Sequence, residues 1–430
     1  MHFRIVPRRI VFYIAGGVVL ALVGFFLWAN LGSNEEKIER RLERLYSLED
    51  PQFAQELGAL LGPPLIDGNR LRAFLNGDQI FPPMLAAIRG AKQTITFETY
   101  IYWSGDIGRE FVEALSERAR AGVKVHVLLD WVGSAKMDKP LFNALKSAGV
   151  QVERYHPPSW TGLGKLNNRT HRRILVVDGR VGFTGGVGIA QEWTGQGQDP
   201  DHWRDSHFQV EGPVVTHMQA VFIDNWIKTS GEVLHGAMYF PLLAPVGSVR
   251  AQMFSSSPTG GAESMALMYL LAITAASRSI DLSAAYFVPD DLSLKALVAA
   301  LKRGVKLRIV VPGEHIDSDT VRSASRAKWG PLLEAGAVIA EYIPTMYHCK
   351  VMIVDGLLVS VGSTNFDNRS FRLNDEATLN ILDPGFAREQ TATFEADLAK
   401  ARPISFAEWT RRPLKERLSE RLASLIGSQL

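Results

Sequence analysis

The stretch YHCKVMIVDGLLVSVGSTN, residues 347–365, carries the reading of the fold. A histidine opens a short apolar strand, the strand runs into an Asp-Gly turn, and a second apolar run ends in Gly-Ser-Thr-Asn. The same layout occurs earlier, as THRRILVVDGRVGFTGGVG at residues 170–188. Superposing the two puts His171 on His348, Arg173 on Lys350, Asp178 on Asp355, Gly186 on Ser363 and Gly188 on Asn365. The chain therefore contains an internal repeat, and the repeat governs the fold. Working outward, AKQTITFETYIYW from residue 91 matches ASRSIDLSAAYFV from 276, and AGVKVHVLLD from 121 matches RGVKLRIVVPG from 303. A helical pattern separates the strands of each pair, and another, ending in Gly, precedes each His stretch. Each half reads strand, helix, strand, helix, strand, then the His strand. That alternation predicts an α/β fold, a sheet covered by helices.

The expected organisation is an N-terminal membrane anchor (1–34), a juxtamembrane helix (35–62), a first α/β domain (63–235), a second (248–412) and a C-terminal amphipathic helix (413–430). The Pro/Gly/Ser-rich run FPLLAPVGSVRAQMFSSSPTGG at 240–261 reads as the join between the two domains. Residues 10–29 are uncharged and mostly apolar, long enough to cross a bilayer as a helix and too long for the apolar part of a signal peptide. Arg8 and Arg9 precede this run and Lys37, Arg40, Arg41 and Arg44 follow it, so positive charge argues for both orientations. Ile38, Leu42 and Leu45 have helical spacing, broken near Pro51. At the other end Leu414, Leu418, Leu422, Leu425 and Ile426 share one helical face with Lys415, Arg417 and Arg421 between them. Such a helix lies either on a membrane surface or against its own domain.

The 430 residues allow two or three domains. A net charge of +2 provides no strong global field for nucleic acid, so no nucleic-acid partner is expected. The lone cysteine, Cys349, excludes an internal disulfide, and the ten histidines show no zinc-like spacing, so no metal site is expected. No protein partner is evident either.

The chemistry lies in the two His stretches. On a strand, residues two apart share a face, so His348 sits beside Lys350 and His171 beside Arg173. Asp355, seven residues past His348, falls on the other face or in the turn, which makes it a turn anchor; Asp178 follows suit. Ser363 and Asn365 form a second same-face pair. An imidazole, a cation, a hydroxyl and an amide together suit a phosphate. In the first stretch Gly186 and Gly188 replace that hydroxyl and amide, and backbone N–H groups from Gly185 to Gly188 are expected to take their place. Two histidines divide two tasks, one attacking phosphorus and one protonating the leaving oxygen, with Lys and Arg supplying charge in place of a metal or other cofactor. Each needs a carboxylate to fix its tautomer. Glu376, in LNDEATLN, is the candidate for His348 and Asp205, in HWRDSHFQVEG, the candidate for His171. His126, His217 and His315 read as packed or solvated, Trp103, Trp131 and Trp203 as core or rim. Of the basic cluster Arg169, Arg172 and Arg173, only Arg173 is assigned to the His171 face.

The pattern H-x-K-x4-D-x6-G-S-x-N resembles the signature of the phospholipase D superfamily. The second stretch matches it in full; the first departs at Arg173, Gly186 and Gly188. VGSTNFDNRSFRLNDEATLNI, HRRILVVDGRVGFTGG and FETYIYW resemble bacterial cardiolipin synthases in particular, over about residues 69–412. The resemblance implies two sandwiched α/β domains related by a pseudo-twofold, with one His from each in a shared cleft. It implies a catalytic set of His171, Arg173, Asp178, His348, Lys350 and Asp355, with Ser363, Asn365, Gly186 and Gly188 around the substrate. It further implies transfer of a phosphatidyl group between two phosphatidylglycerol molecules through a phosphatidyl-histidine, at a bacterial cell membrane. In related phospholipases D the N-terminal His takes the nucleophilic role. An anchor suits a bilayer substrate. Competing readings are a hydrolytic phospholipase D, a nuclease or other phosphodiesterase of the same fold, and a non-catalytic membrane protein. The nuclease is disfavoured by the small net charge.

Overall fold

The computed structural model describes residues 8–31, 38–157, 167–258 and 264–425. The first half contributes strands β1 (Ile66–Leu75), β2 (Thr94–Thr99), β3 (Lys124–Asp130), β4 (Gln151–Tyr155), β5 (Arg169–Thr170), β6 (Ile174–Val177), β7 (Val181–Gly185) and β8 (Ser206–Glu211). The second contributes β9 (Val249–Ser256), β10 (Ser279–Ala284), β11 (Phe287–Val288), β12 (Lys306–Pro312), β13 (Val338–Tyr342), β14 (Lys350–Val354), β15 (Leu358–Gly362), β16 (Phe366–Asp367), β17 (Asn374–Leu382) and β18 (Ala401–Ile404). The repeat read from the sequence is present strand for strand. Parallel β2–β3–β4 has its counterpart in β10–β12–β13, and each set carries an antiparallel His hairpin, β6–β7 or β14–β15.

The parallel strands are near-continuous apolar runs because helices cover them. The helix Asp106–Arg120 lies between β2 and β3, burying Ile107, Phe111 and Leu115 at four-residue intervals. Asp291–Lys302 takes the corresponding place between β10 and β12.

The halves are more closely joined than two sandwiched domains. Among the described residues one sheet runs β18-β13-β12-β10-β14-β15-β17-β9-β1-β8-β7-β6-β2-β3-β4. Its seam is the antiparallel pair β1–β9, where Ile66 faces Ala251 and Asn69 faces Val249. Residues 249–256, expected as part of a linker, are thus a central strand. Ala251, Met253 and Phe254 are buried, and the Pro/Gly punctuation lies only on either side of it. A shared apolar layer takes Ile174 and Val176 from the first half and Val351, Ile353 and Leu379 from the second.

Two expectations near the N-terminus change. Residues 38–50 are not helical; the helix is Pro51–Leu61. Asp50 caps it by accepting from Gln52 N, and Pro51 occupies its first turn, where a missing N–H costs nothing. Proline starts the helix here and does not break one. Ile38 and Leu42 still pack on the core of the second half. Arg8–Leu31 forms a 24-residue helix, and its described side chains from Tyr13 to Phe25 are all exposed. Among the described residues no helix is long and apolar enough to cross a membrane. The rest of the expected anchor, residues 1–7 and 32–34, lies outside the described residues.

Candidate active site

The two Asp-Gly turns settle what the motif aspartates do. Asp355 has a left-handed backbone (φ 54°) and accepts from Ser277 N, Arg278 N and Ser279 N at 2.6–2.9 Å. Asp178, at the same φ, accepts from Lys92 N, Gln93 N and Thr94 N. Neither carboxylate lines the cleft between the halves. The catalytic role that the resemblance attaches to this pair is therefore replaced by the anchoring role that strand alternation predicted. Each ties its His hairpin to the edge of the neighbouring strand. The substitution Asp355→Ala removes three charge-assisted bonds and is expected to cost about 3 kcal/mol of stability in urea unfolding, while leaving turnover per folded molecule close to native.

The histidines meet at the cleft, and their carboxylates are exchanged between the halves. His171 Nδ1 lies 2.9 Å from Glu376 Oε1, and His348 Nδ1 lies 2.7 Å from Asp205 Oδ2. The sequence reading gave each histidine the carboxylate of its own half, and the structure reverses both assignments. Backbone pairing is the reason. β5 runs parallel to the start of β17, and His171 N donates to Asp375 O at 2.8 Å. In the other half His348 N donates to Arg204 O and Arg204 N to Met346 O. Each His strand thus lies against the carboxylate strand of the opposite half.

Buried arginines fix both crossings. Arg172 is fully buried; it donates to Val221 O and Ser256 O, and pairs with Asp224 and Asp375. Arg204 grips Asp397 through two bonds of 2.9 and 2.7 Å.

The loops after β7 and β15 hold the carboxylates and supply fewer phosphate donors than expected. Ser363 is fully buried, donates to Glu376 Oε2 and accepts from Ala377 N. Gly186 occupies the equivalent position, but its N–H is spent on Ser206 O. A Cβ there would sit 2.1 Å from Asp205 Oδ1. Besides Ser206 N, Asp205 accepts from Trp193 Nε1 at 2.9 Å, so an indole replaces the missing hydroxyl. Gly188 is needed for contact with Ile101, whose Cβ is 2.6 Å from where a Gly188 Cβ would be. Ser363, Gly186 and Gly188 therefore leave the expected substrate-binding set, and Asn365 stays in it as a cleft residue. Restoring the motif with Gly186→Ser is expected to lower turnover by on the order of 10²-fold in a vesicle assay, because the new side chain displaces Asp205 from His348.

The cleft has a volume of about 410 Å³ and is lined by His171, Arg173, Arg369, His348, Trp203 and Asn365, among others. Arg173 Nη1 donates to His171 O, and Lys350 Nζ to His348 O, lying 3.2 Å from both ring nitrogens of His348. Sequence reasoning missed Arg369 and left Arg169 off the His171 face, although residues 169, 171 and 173 alternate correctly; both arginines line the cleft. Trp103, Trp193 and Trp203 make its aromatic wall, and Trp193 and Trp203 pack on the His348 ring.

Burial and the crowd of cations act together on the imidazoles. Burial, with Arg173, Lys350 and Arg369, holds His171 well below the ordinary imidazole value. Burial and Lys350 take His348 down to about 4. Burial brings Lys350 down to about 8 and pushes Glu376 up to about 7. Asp205 is also buried, but His348 and Lys350 outweigh the burial and keep it below the usual carboxylate value. Burial and the neighbouring cations thus disfavour the charged form of both rings in a site shaped for an anion.

The family model described as "Cardiolipin synthase, PLD-like domain" matches residues 84–226 and 269–398, the two halves that meet at this cleft. The chain belongs to the cardiolipin synthase, phospholipase D-like family. A cardiolipin synthase A of Pseudomonas fluorescens is 34% identical over 394 residues, covering 91% of this chain and 81% of that protein. A cardiolipin synthase of a Geobacillus species is 32% identical over 435 residues, covering 95% and 86%. Among solved structures, a phosphatidylserine synthase of Haemophilus influenzae superposes with a TM-score of 0.63 at 12% identity. It covers 88% of this chain and all of that one, a likeness that shows the shared fold.

Proposed function

We propose that this family member is a membrane-anchored phosphatidyltransferase that makes cardiolipin from two phosphatidylglycerol molecules and releases glycerol. The observation that carries the reading is the pair of cleft histidines, each held at Nδ1 by a carboxylate of the opposite half and flanked by a cation. With Nδ1 engaged by Glu376, Nε2 of His171 is the nitrogen left to attack phosphorus. His348 takes up a proton as the anionic phosphate enters and offsets the cleft cations; as the His171–phosphorus bond forms, the bond to the glycerol oxygen breaks, and the His348 imidazolium gives that oxygen its Nε2 proton. His348 then takes the proton from a hydroxyl of the second phosphatidylglycerol. That oxygen displaces His171 and completes cardiolipin. Asp205, which stays ionised, suits His348 for a role that passes through an imidazolium. Arg173, Lys350 and Arg369 offset the phosphate charge.

The N-terminal helix Arg8–Leu31 supports an anchor. Its uncharged run at 10–29 spans about 30 Å as a helix, and its described side chains from Tyr13 to Phe25 are exposed. The arrangement supports a bacterial cell-membrane location.

Protein in phosphatidylglycerol vesicles should yield cardiolipin and glycerol in equal amounts by mass spectrometry. Phosphatidic acid without cardiolipin would establish the hydrolytic alternative. Lys350 also sets a pH limit. Its ammonium loses its proton near pH 8, so kcat/KM, which reports the free enzyme, is expected to fall above about pH 8. In Lys350→Arg the fall should move to higher pH, since a guanidinium stays charged there.

A further inference from the structure

The C-terminal helix Leu414–Leu425 is docked with its apolar stripe facing outward. Its inner face is made by Glu420 and Ala423, both buried. Glu420 accepts from Arg412 and Arg326, and Ala423 packs with Val288, Val321 and Ala324. Leu414, Leu418 and Leu422, one turn apart, are 78%, 61% and 59% exposed. At 3.6 residues per turn, Lys415 flanks this stripe on one side and Arg417 and Arg421 on the other. All three cations are exposed, and none makes an ion pair among the described residues. Ile426, expected on the same stripe, lies outside the described residues. A helix fastened by ion pairs with leucines outward reverses the usual soluble pattern.

We infer that this helix lies in the interface of an anionic lipid bilayer, with the three leucines in the acyl boundary and the flanking cations at the headgroups. Charge complementarity favours a bilayer over a second copy of the chain, because two such basic faces would repel each other. Position favours it as well. The helix packs on Asp319–Lys328, whose neighbour Ser318 and whose Val321 line the catalytic cleft. Ser424 shares a surface cavity with Ile38. Ile38 is only seven residues beyond Leu31, a reach of at most about 25 Å from the end of the N-terminal helix. The stripe, the cleft and the end of the proposed anchor therefore lie close to one another. The inference rests on a lipid substrate but not on transferase chemistry.

The test uses full-length protein reconstituted in vesicles, with Leu418→Cys carrying an environment-sensitive fluorophore. Native Cys349 is buried and will not label. Leu242→Cys, at a side chain 99% exposed, is the control. In vesicles containing phosphatidylglycerol, the Leu418 label should shift to the blue and be quenched by spin-labelled lipids about 5–10 Å below the headgroups, while the Leu242 label should not. A combined Leu414→Ser, Leu418→Ser, Leu422→Ser protein should lose about tenfold in turnover of vesicle lipid and keep its turnover of a monomeric short-chain substrate. These readouts separate membrane contact from the reaction, since quenching requires no turnover. A Leu418 label as wet and unquenched as the control would overturn the inference. So would the same blue shift in lipid-free protein accompanied by cross-links between copies.

Discussion

Substituting His171 by Ala is expected to lower kcat by on the order of 10⁴-fold with phosphatidylglycerol vesicles, with an unfolding transition close to native. The magnitude follows from what is lost. Without the imidazole there is no group to form the covalent intermediate, and the cations of the cleft can only bind the phosphate. His348→Ala should cost a similar factor for another reason. It leaves a nucleophile whose leaving group must depart unprotonated and whose acceptor lacks a base. Because the two histidines serve one sequence of steps, the double variant should be scarcely slower than either single one. Were the first half only a scaffold, His171→Ala would turn over at the native rate.

The second large effect follows from the exchanged carboxylates. Glu376→Gln is expected to cut kcat by about 10²–10⁴-fold with little change in KM, because an amide keeps only one of the two accepting oxygens and can offer its N–H₂ to Nδ1, which puts the ring proton on Nε2. The specific expectation concerns which ring responds. In spectra of ring-labelled protein, Glu376→Gln should move the titration and tautomer of His171 and leave those of His348 close to native. Asp205→Asn should do the reverse. A carboxylate serving the histidine of its own half would give the opposite pattern. The sign follows from burial and charge. Removing an accepting carboxylate from a buried imidazole disfavours its cation, so each affected ring should become still harder to protonate.

What the sequence disclosed follows from what is local. Alternation along a strand places His348 with Lys350 and His171 with Arg173, and sends Asp178 and Asp355 into their turns; both results depend only on neighbouring residues. The repeat discloses β2–β3–β4 and its counterpart for the same reason. The carboxylate exchange was not legible, because it depends on Arg204 pairing with Tyr347 and on Asn374 pairing with Arg169, contacts more than 140 residues apart. The destination of the Ser363 hydroxyl was hidden likewise. Spacing shows that it faces as Asn365 does, but not that Glu376 stands between it and the cleft. The first His stretch looks worn because Ser and Asn have become Gly186 and Gly188. Each glycine instead makes room, one for Asp205 and the other for Ile101, while the Trp193 indole supplies the donor that the serine would have given. A donor from another part of the chain leaves no mark in the motif itself. The same limit applied to β9, whose Pro- and Gly-rich flanks read as a linker although its own alternation was that of a strand.

The central claim is that the histidine of the altered first half forms the bond to phosphorus, and it can be tested directly. His348→Ala protein, incubated with phosphatidylglycerol long enough for its slowed first step, then quenched and digested, should give a peptide containing His171 whose mass is increased by one phosphatidyl group, because the next step lacks its base. An adduct on another residue, or none while cardiolipin still forms, would contradict the account.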